Sequence, residues 1–244
     1  MHPAPGTDKL GIQEYPLQQI DFVTCLYEFV ILIFSLCVHE SAHAWMASRL
    51  GDQTARMQGR VSLNPAAHVD PIGTLLFPAI GIFGPLFGLG IGAYMIGWAK
   101  PVMINPRFFR KITRDDNLVS MAGPASNFLL AILAFLGVIA VILVDHHPQF
   151  VGQMNGPLQN IGRIFFLTVM INLSLCYFNL LPIPPLDGSH VVRNMLPYSA
   201  VQVYDRLGYF SYLILILIGG RFVSFFMEPT LTIMLRILYA IPRG

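Results

Sequence analysis

Four long apolar runs, separated by shorter polar and turn-rich stretches, dominate the pattern of hydrophobic and polar positions along the chain. They cover approximately residues 20–50, 117–144, 158–181 and 207–227. Each run is as long as the roughly 20 apolar residues that a helix needs to cross a bilayer. The pattern therefore predicts an all-α polytopic membrane protein with about four full transmembrane helices.

A fifth apolar stretch, residues 71–98, is interrupted by glycine and proline at Gly81, Gly84, Pro85, Gly88, Gly90 and Gly92. These residues disfavour a continuous helix, and irregular backbone at membrane depth must be covered by protein. We therefore expect a hairpin or a re-entrant region rather than one span. Residues 54–63 alternate loosely between apolar and polar, which allows short β-strands at the cytoplasmic face.

These elements divide the chain into three parts. Residues 1–19 form a polar N-terminal segment without a basic start and apolar stretch, so we expect no cleavable signal peptide. Residues 20–227 form the membrane-embedded domain. Residues 228–244 contain an apolar run that is too short to span, so we expect an interfacial or partly inserted segment.

Composition supports a membrane protein and excludes an ordinary soluble enzyme. Hydrophobic residues make up 55% of the chain and charged residues 11%, whereas soluble domains carry about 25% charged residues. The net charge of +2 argues against a nucleic-acid partner. The three cysteines lie in apolar runs without C-x-x-C spacing, which argues against a disulfide framework and a thiolate zinc site.

The distribution of basic residues predicts the orientation of the chain. Ten of the fifteen lysines and arginines lie within residues 49–60, within residues 100–114, or at Arg193 and Arg206. The positive-inside rule places these stretches on the cytoplasmic side. The first apolar run then ends inside, and the run at residues 158–181 also returns to the inside.

The first apolar run ends in His39-Glu40-Ser41-Ala42-His43. Histidines four residues apart on a helix share one face, where they can hold one zinc ion, and Glu40 can reach a zinc-bound water. Two histidines and a carboxylate at the end of an apolar helix are costly unless they are paired or metal-bound. The alternative is a polar, interfacial end to an ordinary membrane helix.

A second motif, Pro182-Ile183-Pro184-Pro185-Leu186-Asp187-Gly188, follows the apolar run at residues 158–181. Proline stiffens the backbone before Asp187, and catalytic zinc needs three protein ligands and one open position. An even number of passes in residues 71–98 places Asp187 at the depth of the histidines, whereas a single span places it roughly 30 Å away. The alternative is a solvent-facing aspartate in a turn.

The motifs His39-Glu40-x-x-His43, Gly123-Pro124-Ala125-Ser126-Asn127 and Asn179-x-x-Pro182-x-Pro184-Pro185-Leu186-Asp187-Gly188, in this order, resemble those of the site-2 protease family. The resemblance covers approximately residues 31–217 and is to compact bacterial members, since no stretch could house a PDZ or CBS domain. It implies a multi-pass protease of the cell membrane with its zinc site near the cytoplasmic side. Its implied partners are transmembrane protein substrates and the lipid bilayer.

The resemblance also implies roles for individual residues. One zinc ion per chain would be bound by His39, His43 and Asp187, with Glu40 as the general base. Asn127, in the family's G-x-x-x-N motif, would hold the substrate backbone or stabilise an oxyanion. A hydrogen bond between helices is the alternative for Asn127.

Three further polar residues are weaker candidates. His68 could ligate zinc, but a histidine that caps a loop is favoured because a fourth protein ligand would close the open position. His190 is a candidate for an outer-sphere role. Asn179 could anchor the proline-rich turn or contact substrate. The broken region at residues 71–98 could pair with an unwound substrate as an added strand.

Other functions fit the pattern less well. A divalent-metal transporter would place its ligands at mid-bilayer and would usually show internal repeats, which the sequence lacks. A membrane di-iron oxidase would need more histidine clusters than seven histidines supply. A catalytically silent client-binding protein would have no need for an intact Glu40.

Overall fold

The computed structural model describes residues 21–88, 97–145 and 157–241 of the chain, and within these ranges all regular elements are helical. We label them α1 (Phe22–Leu50), α2 (Thr54–Met57), α3 (Pro65–His68), α4 (Pro71–Phe87), α5 (Ile112–Asp145), α6 (Pro157–Asn179), α7 (Asp187–Met195) and α8 (Tyr198–Ala240). A short 3₁₀ turn, Pro106–Phe108, precedes α5. Four of these helices, α1, α5, α6 and α8, are long and apolar enough to cross a membrane. The predicted all-α architecture with four spans is confirmed.

Two of the longer helices contain irregular turns. Helix α4 begins with a π turn (Pro71–Leu76), continues as Phe77–Phe83 and ends in a 3₁₀ turn (Gly84–Phe87). Helix α8 changes geometry at a 3₁₀ turn (Gly208–Phe210) and a π turn (Leu215–Gly219).

The short strands expected within residues 54–63 are not formed. Instead, the Asp52 carboxylate accepts the backbone N–H of Thr54 at 2.9 Å and starts the helical turn α2. The buried Arg60 guanidinium donates to the carbonyl of Ala67, which closes the loop on itself. Local capping therefore satisfies backbone groups that a strand would have paired.

The two ends of the broken apolar region meet, as a hairpin or re-entrant region requires. The backbone N–H of Trp98 donates to the carbonyl of Gly73 at 3.1 Å, and the Thr74 hydroxyl donates to the carbonyl of Trp98 at 2.7 Å. A Cβ at Gly73 would lie only 2.4 Å from the Trp98 ring, so glycine is needed for this approach. Both ends of the region therefore lie at the same end of the helix bundle.

Helix α4 packs along α1 toward the N-terminal end of α1. The Phe83 ring lies 5.6 Å from that of Phe22, and the Cys25 thiol donates to the carbonyl of Ile82 at 3.3 Å. Residues 89–96, which include two of the glycines expected to break a helix, lie outside the described residues.

Apolar residues form the core between α5, α6 and α8. The buried cluster consists of Ala131, Ala134, Val169, Leu173 and Met227. Leu231 and Met234 pack against the same cluster, and α8 continues through Glu228 and Pro229 to Ala240. The boundary expected at residue 228 is therefore not a break in the helix, and the interfacial position of residues 228–244 stays a prediction.

Helix α1 is held against both α5 and α6. Ala47 of α1 packs on Val119 of α5 and on Phe109 just before it. Asn172 of α6 donates a hydrogen bond to Ser35 of α1 at 2.9 Å, and both side chains are fully buried. These contacts hold the helix that carries the H-E-x-x-H motif.

Candidate metal centre

His39 and His43 lie one turn apart on a buried face of α1. Their Nε2 atoms are 3.0 Å apart, and the side chains are 4% and 6% exposed. The predicted helix therefore presents both imidazoles to the same point, as the four-residue spacing requires.

Asp187, in the first turn of α7, reaches this point from the other side. Its Oδ2 lies 3.1 Å from His39 Nε2, and its Oδ1 lies 3.4 Å from His43 Nε2. Ligands about 2.0–2.2 Å from a tetrahedral metal ion lie about 3.4 Å from one another. The three side chains, the one metal-binding group of this kind in the described part of the chain, therefore have the spacing of a metal site.

The position of Asp187 depends on contacts of the loop and helix around it. A Cβ at the following residue, Gly188, would lie 2.3 Å from the carbonyl oxygen of Leu180, so the turn passes close to the end of α6. The Tyr204 hydroxyl of α8 donates to the carbonyl of Pro182 at 2.9 Å and lies 3.4 Å from the carbonyl of Ser189. Tyr204 thus connects both sides of the turn that carries Asp187.

Helix α7 is also attached to the start of α5. Asn194 donates from Nδ2 to Asp116 Oδ2 and to Asn117 Oδ1, both at 2.7 Å. The carboxylate is therefore held from two directions, by α5 and by α8, which limits its movement relative to α1.

The surroundings of Asp187 favour its ionised form. Burial alone would raise the pKa of this carboxyl group, but the imidazoles of His43 and His39 outweigh that effect and hold its pKa well below its ordinary value. Its Oδ2 atom is nevertheless buried without a hydrogen-bond partner among the described residues. A buried, ionised oxygen in this position fits a cation between the three side chains.

Gly123 of α5 leaves room at the point where the three side chains meet. A Cβ added to Gly123 would lie 2.3 Å from His43 Nε2 and 2.6 Å from His39 Nε2. Imidazole ligands bind zinc at about 2.0–2.1 Å, so a methyl group here would compete with a metal ion for the same space. Two imidazoles, one carboxylate and this space match the ligand set of catalytic zinc sites.

Both imidazoles are also contacted through Nδ1 by α5. His43 Nδ1 lies 2.7 Å from the carbonyl oxygen of Val119, so this nitrogen carries a proton and its Nε2 has a free lone pair. His39 Nδ1 lies 3.3 Å from the side-chain amide of Asn127. Spacing in the sequence could not identify the Val119 carbonyl, because every residue has one.

The Glu40 side chain is half-buried beside this cluster, and its carboxylate makes no hydrogen bond or ion pair with another described residue. Around the helix axis, Glu40 lies about 100° from His39 and about 60° from His43. Its carboxylate therefore remains available next to the site, while the neighbouring carboxylate of Asp187 is occupied by the imidazoles.

The weaker candidates occupy other positions. His68 is buried with Nε2 2.7 Å from the carbonyl oxygen of Ser62, and it is outside the three-residue group. Asn179 donates to the carbonyl of Leu175 within its own helix at 2.9 Å. His190 is half-exposed and lies 3.9 Å from Asp116 rather than against Asp187.

A cavity of about 430 Å³ lies along a different face of α1. Its lining residues are Val38, Ser41, Ala42, Trp45, Val61, Ser62 and Leu63. His39, His43 and Asp187 are not among these lining residues. The cavity is thus separate from the metal-binding group.

Comparison with known proteins agrees with this geometry. Residues 27–219 match the sequence profile of Peptidase family M50. A Bacillus subtilis (strain 168) protein named "Putative zinc metalloprotease YwhC" is 37% identical over 183 residues, which cover 75% of this chain and 73% of that protein. No solved structure matches the chain at a significant level.

The Rip2 proteins of mycobacteria are also named "Putative zinc metalloprotease", and their sequence identity to this chain is lower. Rip2 of Mycolicibacterium smegmatis is 33% identical over 156 residues, and Rip2 of Mycobacterium tuberculosis (strain H37Rv) is 31% identical over 157 residues. In each case the match covers 64% of this chain and 52% of the relative. The chain thus spans about half the length of the Rip2 proteins.

Proposed function

The chain belongs to Peptidase family M50, and we propose that it is an intramembrane zinc metalloprotease that cleaves membrane proteins within or near their transmembrane segments. The approach of His39, His43 and Asp187 to one point within a bundle of apolar helices is the observation that carries this proposal. The family match and the names of the relatives support a metalloprotease that uses zinc.

One zinc ion per chain would be held by the two Nε2 atoms and by the Asp187 carboxylate. When bound, zinc supplies Lewis-acid polarisation of a carbonyl group and makes water acidic enough to lose a proton near pH 7. Three protein ligands leave one position open for this chemistry. The space in front of Gly123 supports this assignment.

Glu40 would act as general base and then as general acid. Its carboxylate, which has no partner among the described residues, takes the proton of the attacking water and passes it to the leaving amine. A residue in this role must not be neutralised by a permanent ion pair, and Glu40 forms no ion pair with a described residue. Asp187 instead lies against the two imidazoles.

The protein is a multi-pass membrane protein, and we place it in the cell membrane with its zinc site toward the cytoplasm. Ten of the fifteen lysines and arginines lie in stretches at the end of the bundle that carries the site. A substrate helix must unwind before its peptide bond is accessible, and unwound backbone at membrane depth needs a protein surface. The broken apolar region, whose ends meet at Gly73 and Trp98, could supply such a surface.

The proposal is tested by the metal content of the purified protein in detergent and by cleavage of a model single-span substrate, with wild type beside Asp187→Ala. We expect one zinc per wild-type chain, cleavage that a chelator stops, and loss of both in the variant. Zinc retained by Asp187→Ala would overturn the ligand assignment. Zinc without cleavage in the wild type would favour a binding role.

A further inference from the structure

Asn127 is fully buried in α5, and its side-chain amide is only half satisfied. The atom assigned as Nδ2 lies 3.3 Å from His39 Nδ1, while Oδ1 has no hydrogen-bond partner among the described residues. A buried carbonyl oxygen without a partner costs about 1–3 kcal/mol. The amide therefore makes a single side-chain contact, to His39, in either orientation.

The two orientations of this amide have different consequences for His39. If Nδ2 donates to His39 Nδ1, the proton of a neutral imidazole must be on Nε2, which then has no lone pair for a metal ion. If the amide is turned by 180°, Oδ1 accepts a hydrogen bond from His39 Nδ1–H, and the lone pair of Nε2 is free. Oxygen and nitrogen of an amide are assigned from the hydrogen-bond network, and only the turned orientation suits a metal ligand.

His43 provides an internal comparison. Its Nδ1 faces an acceptor that cannot be turned, the Val119 carbonyl, at 2.7 Å. Histidines that bind metals almost always donate their second ring N–H to such an acceptor. Asn127 offers the corresponding oxygen to His39, so α5 would orient both imidazoles.

The position of Asn127 argues against direct contact with a substrate. The residue is 0% exposed, so no surface of it is accessible to a peptide. It lies one turn beyond Gly123, which allows α5 to approach the Nε2 side of the same imidazoles. The space in front of Gly123 and the acceptor oxygen of Asn127 serve the same two imidazoles, which accounts for the four-residue spacing between Gly123 and Asn127.

We propose that Asn127 is a positioning residue whose side-chain oxygen accepts a hydrogen bond from His39 Nδ1 and so directs Nε2 to the metal. This inference rests on the proposed function, because it assumes that His39 binds zinc. It assigns to Asn127 neither the substrate contact nor the oxyanion contact that its motif suggested.

The test is the zinc affinity of the detergent-solubilised protein, measured by competition with a chromophoric chelator and independent of cleavage. Asn127→Leu should weaken zinc binding by about 10- to 100-fold, the usual cost of losing such a partner. Asn127→Asp keeps an acceptor oxygen and should bind zinc within a few-fold of wild type or more tightly. If Asn127 were instead a donor to the oxyanion, both variants would lose cleavage activity and keep their zinc affinity.

Asn172→Leu is the matched control. Asn172 is also 0% exposed and donates to Ser35, one turn before His39 on the same helix. It contacts no metal-binding side chain, so its replacement should disturb packing similarly and leave zinc affinity unchanged. A similar loss of affinity in Asn172→Leu and Asn127→Leu would show a packing effect and overturn the proposal.

Each remaining outcome is decisive. Wild-type affinity in Asn127→Leu, or a loss in Asn127→Asp as large as in Asn127→Leu, would overturn the positioning role while wild-type zinc binding stands. If Asn127→Leu does not fold, Asn127→Asp still tests the proposal. Retained zinc affinity in Asn127→Asp supports the role of residue 127 as a hydrogen-bond acceptor, and lost zinc affinity contradicts it. Absence of zinc binding in the wild type would overturn the proposed function itself.

Discussion

A methyl group on Gly123 would lie 2.3 Å from Nε2 of His43, closer than any non-bonded contact allows. The two residues are on different helices, and their approach defines the space between the imidazoles and Asp187. Glycine at this position is therefore required by the site and not by the conformation of α5, which is helical here.

We expect Gly123→Ala to lose zinc binding although all three proposed ligands remain. The added methyl group occupies the space of the ion and pushes the imidazoles apart. Zinc content per chain after purification measures the effect. Gly137→Ala is the control, since its Cβ would instead contact the Phe165 ring of α6 at 2.7 Å. Zinc lost equally from both variants would indicate general unfolding of α5.

Glu40→Gln should separate metal binding from catalysis. Glutamine keeps the size of the side chain but accepts no proton at neutral pH, so cleavage should fall by about 10²- to 10⁴-fold. Zinc content should stay at the wild-type level because Glu40 is not among the three proposed ligands. Cleavage at the wild-type rate would contradict its role as the base.

Tyr204→Phe should loosen the turn that carries Asp187. The variant loses the hydrogen bond from the hydroxyl to the carbonyl of Pro182, which is worth about 1 kcal/mol of unfolding free energy. We expect a lower thermal midpoint and weaker zinc binding. Tyr209→Phe is the control, because Tyr209 is 87% exposed and its hydroxyl supports no described element. Equal midpoints for the two variants would show that the hydrogen bond from Tyr204 to Pro182 does not stabilise the fold.

The ion pair between α7 and α5 should make stability depend on pH. The Asp116 carboxylate, 3.9 Å from Nδ1 of His190, holds the pKa of His190 above its ordinary value against the opposing effect of partial burial. The raised pKa stabilises the fold below the unfolded-state value of about 6.5, and this contribution disappears as pH rises through the folded-state pKa.

We therefore expect the thermal midpoint of the wild type to fall slightly from about pH 6 to about pH 8 relative to that of His190→Gln. The effect should be small because the His190 side chain is 53% exposed and water screens the pair. Asp116→Asn should flatten the same dependence. An identical pH dependence in all three proteins would disprove the linkage.

Local features of the sequence were sufficient for the helices and for part of the site. The length of the apolar runs determined the spans, since the bilayer requires a fixed number of helical residues. The four-residue spacing of His39 and His43 determined that their imidazoles share a face, because that follows from the helical repeat. The strands predicted from the alternation of residues 54–63 were wrong, because the Asp52 carboxylate accepts the backbone N–H of Thr54 and favours a helical turn there.

Only the tertiary structure decided which distant residues meet. Asp187 reaches His39 because α6 returns the chain to the end of the bundle at which Gly73 and Trp98 also meet. The contact between His39 and Asn127 depends on how α5 is rotated against α1, and no periodicity within either helix specifies that rotation. Spacing within a helix is set by backbone geometry, whereas contacts between helices are set by the packing of many side chains at once.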